Sequence, residues 1–454
     1  MKTLFPPQQE AHDFFVDRIL DGRNTLDSSQ MGTGKTVVGA RIAKTLLDKG
    51  HIENVAVICP KAVFPSWQAE LAECGIDPLF ILNVEKLRTG KSGHVTKVGK
   101  KSFRWVVPRG TFILFDEIHK AKGPWSLNAN LLVALVKQGY RVHGMSGTPC
   151  ESPMEMRPLG YMLRLHSNDQ SRGGLPSYFG WLRQMQCEKG HWGAYEMRNR
   201  KFALDKIRAG LYGVSTRGLT VADFPDSFRG NRVIVDPIEF KNQLKIKKCY
   251  TDMKVSEEDM LLYISQGKGA FYKDENDDDP VIVQILRARQ GSELYKVPDI
   301  VEMTLDAMEE GFSVVVFMNF KESLREAAAL LDCNYIDGSV KQEDRDEYIR
   351  RFQADEDNCL VVNAATGGTG ISLHDTHGNR PRLSLISPSF NAKEFAQVIG
   401  RIHRNGAKSD ALQRVMLASG SVEEKVMQII ADKLRAMDSI HQLNICTLTS
   451  NTYI

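Results

Sequence analysis

Ser29-Gln30-Met31-Gly32-Thr33-Gly34-Lys35-Thr36 sets two glycines, a lysine and a hydroxyl at the spacing of a phosphate-binding loop. Gly32 and Gly34 let backbone N–H groups, that of Thr33 among them, approach phosphate oxygens with no Cβ in the way. Lys35 would reach the β- and γ-phosphates, and Thr36 would hold Mg²⁺. The outermost glycine of the usual pattern is Ser29 here. A Gly-rich turn before an ordinary helix has the same local look, so the reading depends on a partner downstream. Thr111-Phe112-Ile113-Leu114-Phe115-Asp116-Glu117-Ile118-His119 is that partner. An apolar run ending in two acids predicts a buried parallel strand that delivers carboxylates to the sheet's C-terminal edge. Asp116 would take the Mg²⁺, directly or through water, and Glu117 would orient and deprotonate the attacking water. Together the two motifs predict hydrolysis of ATP or GTP.

These groups need positioning elements. An apolar helix from Val37 through Leu47 must follow the loop and point its positive end at the anion. A buried strand is expected at Asn54–Pro60 and another strand at Phe80–Val84. A further strand, Arg141–Met145, should run into the turn Ser146-Gly147-Thr148-Pro149 beside Asp116–His119. The hydroxyls of Ser146 and Thr148 at that turn, with His119 nearby, are candidates for reporting the nucleotide state. Gln8 precedes the first helix, and its amide offers the donor and acceptor that an adenine edge requires. Lys61, at a strand end, can grip a nucleic-acid backbone. The Trp67 ring is expected in the core.

From Arg88 to Arg109 there are seven basic residues and no acid. The stretch 94–107 is expected to form a hairpin with a two-residue turn at Gly99-Lys100. Phe103, Trp105 and Val107 would share one face, with Arg104 on the other. Lys97, Lys100, Lys101, Arg104 and Trp105 are candidate nucleic-acid contacts, through phosphates and base stacking. A solvated, charge-protected hairpin is the alternative.

Helical patterns dominate 155–297, and Asp274–Asp279 should be a solvated loop. A second α/β domain is expected from about Pro298. Its strands include Ser313–Phe317, Leu360–Asn363 and Leu383–Ile386. The turn Thr366-Gly367-Gly368-Thr369-Gly370 exposes backbone donors to an anion but has no following lysine, so a nucleic-acid phosphate suits it better than a second triphosphate. Gln397, Arg401 and Arg404 are expected on one face of a helix, where the arginines could act on a phosphate as arginine fingers. Ser421 to about Gln442 should form an amphipathic tail helix.

The chain has 454 residues, with 42% hydrophobic and 25% charged residues, as in soluble globular proteins. A net charge of +3 means that any nucleic-acid site must come from local clustering. The eight cysteines form no Cys-x-x-Cys pair, and Cys187 with His191 lacks a second ligand pair, so neither disulfides nor zinc is expected. No apolar run reaches membrane-spanning length and the N-terminus is no signal peptide, so a cytoplasmic (a bacterial host cell, if phage-encoded) or nuclear protein is expected, not a secreted one.

The order of these motifs resembles the superfamily 2 helicase series, and within it the Swi/Snf-type translocases. Met31–Thr36, Gln397 with Arg401-Ile402-His403-Arg404, and Ser421-Val422-Glu423-Glu424-Lys425 are close to that group's forms. Cys187, Trp192-Gly193, Arg217 and Phe224-Pro225 look like the annealing-helicase branch, and the small size is similar to phage branch-migration helicases. Asn405–Lys408 and Pro7 depart from the usual residues. The resemblance implies an α/β fold of two RecA-like parallel-sheet lobes, with a helical connecting region and a basic hairpin insertion. The expected division is 1–154, 155–297, 298–420 and 421–454. It also implies ATP and Mg²⁺ as cofactors. By the same resemblance, Gln8 recognises adenine, Arg401 and Arg404 are the fingers, and Gly370 joins the nucleotide-binding residues. Ser146 and Thr148 couple ATP state to DNA, and Lys61 with Thr366–Gly370 touches the backbone. The expected activity is that of a monomeric DNA translocase on forked or four-way branched DNA. A duplex translocase that displaces proteins, an RNA helicase and an ATP-gated clamp are the alternatives.

Overall fold

The computed structural model describes residues 3–189, 195–235, 237–266, 281–367 and 371–441. His191, Trp192, Gly193, the acidic run 274–279, Gly368, Thr369 and Gly370 lie outside the described residues; of Thr366 and Gly367 only the backbone is described. The chain divides into two units, Met1–Pro225 joined by the residues from Ala436, and Asp226–Arg435. Residues 155–225 thus fall in the first unit and 226–297 in the second.

The first unit is built on six parallel strands, in the order Thr216–Arg217, Thr25–Asp27, Arg141–Met145, Thr111–Asp116, Asn54–Ile58, Phe80–Leu82. Thr111 through Phe115 are all buried, as a central strand covered on both faces requires. Helices Pro6–Leu20, Lys35–Asp48, Phe64–Glu73 and Leu127–Lys137 accompany this sheet. Because every strand runs the same way, residues 28–36, 59–61, 116–119 and 146–148 meet at one edge despite their separation in sequence.

The basic hairpin pairs Val95 with Trp105 and Lys97 with Phe103. Val98 N–H donates to the Ser102 carbonyl across 3.0 Å, so three residues, Gly99–Lys101, close the turn. The expected two-residue turn is thus corrected. It would have set Val95 opposite Arg104 on one face; the observed register buries Val95 with Trp105 and leaves Arg104 exposed.

The second unit is also a six-stranded parallel sheet, in the order Asn231–Ile234, Ala411–Val415, Arg382–Ile386, Ser313–Met318, Cys359–Asn363, Tyr335–Ile336. The expected fold class of two parallel-sheet α/β lobes holds. Pro298, however, marks no boundary; it sits inside the helix Val281–Glu309. Proline forfeits one backbone bond there. Burial of Val297 and Ile300 in the core of the unit holds the helix together across it. The last helix, Val422–His441, places Ala436 and Ile440 in the core of the first unit.

Candidate active site

The phosphate-type loop leaves the strand Thr25–Asp27 and turns through Gly32 (φ 80°) and Gly34 (φ 92°). The φ of Gly34 is one that a residue with a Cβ rarely adopts, and a Cβ there would also stand 2.4 Å from the Gln8 amide nitrogen. Gln8 is buried with both ends of its amide engaged. Its nitrogen donates to the Thr33 carbonyl (2.8 Å), and its oxygen accepts from Phe5 N–H (3.0 Å). In this arrangement Gln8 braces the loop. The Lys35 ammonium donates to the Ser29 and Gln30 carbonyls at 2.7 and 2.9 Å. Thr36 is half-buried on the second residue of the helix Lys35–Asp48.

Asp116 ends its strand beside the loop. One carboxylate oxygen accepts from Glu117 N–H (2.9 Å), the other from the Trp67 indole N–H (3.0 Å). Burial first, and then the neighbouring Glu117 charge, push its carboxyl up to about 6, against the pull of Trp67 and Lys35. Glu117 has φ 51° and ψ 45°, a left-handed conformation that is strained for a residue with a side chain. The turn brings its carboxylate 3.1 Å from His119 Nδ1. The same nitrogen lies 3.0 Å from Ser146 Oγ, which accepts from Thr148 N–H at 3.2 Å. Ser146 N–H donates in turn to the Asp27 carbonyl (3.0 Å). His119 Nδ1 thus lies within ion-pair distance of Glu117 and hydrogen-bond distance of Ser146, which in turn accepts from the turn at Thr148, whose buried hydroxyl has no hydrogen-bond partner among the described residues.

Two participants escaped the sequence reading. Asp27 is fully buried just before the loop and accepts from Ser29 N–H at 2.8 Å; burial raises its carboxyl and the Lys35 charge opposes the shift. Its only sign in the sequence was an acid two residues before Ser29. Trp67 was expected only as core, and it is, at 0% exposure, but its indole also reaches Asp116. Sequence gives no sign of which way a buried indole N–H points.

In the second unit the helix carrying Gln397 is Ala392–Ile399, with Gly400 at its end. The expected helical face through Arg401 and Arg404 is therefore corrected, because Arg401 lies in the turn after the helix and Arg404 beyond that turn. They converge by another route. Arg401 Nη1 and Arg404 Nη2 each donate to the Ile371 carbonyl at 3.0 Å. Gln397 is buried, and its amide nitrogen has no hydrogen-bond partner among the described residues.

Of the nucleic-acid candidates, Lys61, Lys97, Lys100, Lys101 and Arg104 are exposed. Trp105 is not available as a stacking residue. Its ring is 2% exposed in the core, its indole N–H donates to the Leu131 carbonyl (3.1 Å), and its backbone exchanges two bonds with the Gln138 amide.

The family model described as "Helicase conserved C-terminal domain" matches residues 295–406. The chain is 28% identical over 472 residues to the "Putative ATP-dependent RNA helicase L364" of Acanthamoeba polyphaga mimivirus, covering 96% of this chain and 83% of that protein. It is 23% identical over 492 residues to the Xenopus tropicalis "SWI/SNF-related matrix-associated actin-dependent regulator of chromatin subfamily A-like protein 1", covering 99% of this chain and 46% of the frog protein. Over 95 residues, 20% of this chain and 12% of the other, it is 30% identical to the "DNA repair and recombination protein RAD54-like" of Drosophila persimilis. It thus spans most of the mimiviral protein and less than half of the frog one. The matched C-terminal helicase segment and these relatives support a helicase of superfamily 2 and the Swi/Snf type, an ATP-hydrolysing enzyme.

Proposed function

We propose that the chain converts ATP hydrolysis into movement along DNA, and that forked or four-way branched DNA is its substrate. The observation that carries the motor reading is the chain from Glu117 through His119 to Ser146, which ties a water-activating carboxylate to the turn expected to sense the strand. The residues present fit ATP with Mg²⁺. Gly34 leaves no room for a Cβ, and Asp116 and Glu117 crowd two carboxylates whose repulsion a divalent cation would relieve. Gly32, Thr33, Gly34, Lys35 and Thr36 would hold the phosphates, and Thr36 and Asp116 the metal. Bound ATP with its metal supplies a cleavable phosphoanhydride and neutralises its charge.

Lys35 exchanges its contacts with the Ser29 and Gln30 carbonyls for phosphate oxygens. Glu117 orients water and takes its proton. His119, set between Glu117 and Ser146, passes the resulting change in charge to Ser146 and Thr148. Arg401 and Arg404, converging on one carbonyl, present two guanidinium groups suited to charge developing on a phosphate. Lys61 grips phosphates irrespective of sequence, and the exposed cations of the hairpin favour branched DNA.

RNA is the second reading, favoured by the printed name of the mimiviral relative that spans nearly the whole chain. ATP turnover at fixed salt, without nucleic acid and then with single strands, duplex, forks, four-way junctions and RNA, separates the two. Strongest stimulation by forks and junctions supports branched-DNA remodelling; equal stimulation by plain duplex points to a translocase that displaces proteins. Stimulation by RNA alone overturns the DNA assignment.

A further inference from the structure

The last helix brings one polar side chain deep into the first unit. Its residues from Ala436 onward belong to that unit, with Ala436, Met437 and Ile440 buried. His441 follows them inward and is 1% exposed. An imidazole this deep needs partners at both ring nitrogens. Nε2 lies 3.2 Å from the Cys150 carbonyl oxygen and 3.5 Å from the Cys150 sulfur, and Nδ1 lies 2.9 Å from the Tyr212 hydroxyl. That hydroxyl lies in turn 2.8 Å from Ser28 Oγ.

The partners set the direction of these bonds. A carbonyl only accepts, so Nε2 carries the proton and Nδ1 accepts from Tyr212. Burial pushes the Tyr212 phenol above its ordinary range, so it stays a hydroxyl able to donate. The Ser28 hydroxyl then donates to the Tyr212 oxygen. Both ends of the relay meet the candidate site. Ser28 stands just before the phosphate-type loop, and its N–H donates to the Arg217 carbonyl (2.9 Å). The next residue, Ser29, accepts Leu219 N–H on its hydroxyl (2.9 Å) and the Lys35 ammonium on its carbonyl (2.7 Å). Cys150, fully buried, directly follows the turn Ser146–Pro149. Tyr212 and Cys150 lie 229 and 291 residues before His441, so no local pattern marks it.

We infer that His441 is a positioning residue that holds the phosphate loop, through Tyr212 and Ser28, in register with the coupling turn, through Cys150. It touches neither nucleotide nor metal and acts through those two segments. The inference rests on the proposed reading of the loop and the turn as nucleotide-binding and coupling elements, and adds the residue that ties one to the other. A histidine that only plugged the helix end into the core would contribute to stability and to nothing else.

The test measures ATP turnover, with and without the nucleic acid that stimulates wild type most, in the full chain and in His441→Asn, His441→Gln and Tyr212→Phe. An asparagine oxygen reaches the place of Nδ1 and a glutamine nitrogen that of Nε2, so each amide keeps one link. His441→Asn should keep the KM for ATP and lose about fivefold in stimulation, the size of one hydrogen bond. His441→Gln should do the reverse, raising KM about fivefold and keeping the stimulation. Tyr212→Phe should match the glutamine variant, because it removes the same link. Loss of melting temperature in all three with KM and stimulation unchanged would overturn the inference, as would KM and stimulation changing together in both amides. If an amide variant does not fold, Tyr212→Phe, which removes only a hydroxyl, decides by its KM. Wild-type turnover that no nucleic acid stimulates rejects the motor reading instead, and the KM of Tyr212→Phe still tests the link to the loop. Absence of turnover in wild type rejects both.

Discussion

The indole N–H of Trp67 donates to a carboxylate oxygen of Asp116 across 3.0 Å, joining a core residue to the acid proposed to hold the metal. A hydrogen bond to a charged group contributes about 1.5–3 kcal/mol, and this one favours the ionised carboxylate that burial opposes. Trp67→Phe keeps the ring and removes the donor. We expect ATP turnover at limiting Mg²⁺ to fall by about tenfold and the Mg²⁺ requirement to rise, with the fold retained. An unaltered Mg²⁺ titration would reduce the contact to packing.

Lys35→Ala and Glu117→Gln should each lower nucleic-acid-stimulated turnover by at least about a hundredfold while DNA binding survives. Filter binding beside the turnover assay checks both. Retained hydrolysis in either variant would sink the site assignment.

Ser146→Ala breaks the chain from Glu117 through His119 without touching the phosphate loop. Basal turnover should persist, while the stimulation by DNA falls about fivefold or more, the size of a modest coupling free energy. If stimulation is unchanged, coupling runs through other residues.

Replacing Lys97, Lys100, Lys101 and Arg104 by alanine should spare basal turnover and impair branched-DNA processing. The log–log salt dependence of binding should become shallower by about 0.9 for each phosphate that the variant no longer neutralises. Trp105→Ala, close to the same tip, should behave differently: about 3–5 kcal/mol of stability lost, from removal of a buried aromatic ring. A melting scan distinguishes the two classes.

In the second unit Lys296 and Glu423 form an ion pair of 2.5 Å at 1% and 2% exposure, with Tyr250 and Ser292 also donating to Glu423. Burial pushes the Glu423 carboxyl up, but Lys296 and the surrounding donors outweigh it and hold it below its ordinary 4.5. With the folded value depressed, its stabilisation is fully present above about 4.5, its unfolded value, and is lost as pH falls below that through the folded value. Lys296→Met alone leaves a buried charge and should cost about 3–5 kcal/mol at neutral pH. The same variant should lose less on acidification than wild type. Thermal unfolding across pH 3–7 (roughly the range over which carboxylates titrate) reads both effects.

Much of the first lobe was legible because its signals are local. The loop at 29–36 needs glycines where a Cβ collides, and the run Thr111–Phe115 needs two apolar covers; both leave their mark on neighbouring residues. The errors came where a distant contact overrode a local rule. Pro298 reads as a break, yet burial of Val297 and Ile300 carries the helix through it. The spacing of Gln397, Arg401 and Arg404 reads as a helical face, yet the helix ends at Ile399 and the arginines meet on the Ile371 carbonyl. Gly99-Lys100 reads as a two-residue turn, yet the need to bury Val95 opposite Trp105 selects a three-residue loop.

The sequence by itself determined the motif order and the two-lobe α/β class, since each is encoded in residue type and short-range spacing. Tertiary structure alone decided the direction of side chains whose partners lie far along the chain. It turned Trp67 toward Asp116, engaged the Gln8 amide with Thr33 and withdrew Trp105 into the core. The physical reason is that burial and hydrogen bonding are satisfied between elements, and no local pattern states which elements will meet.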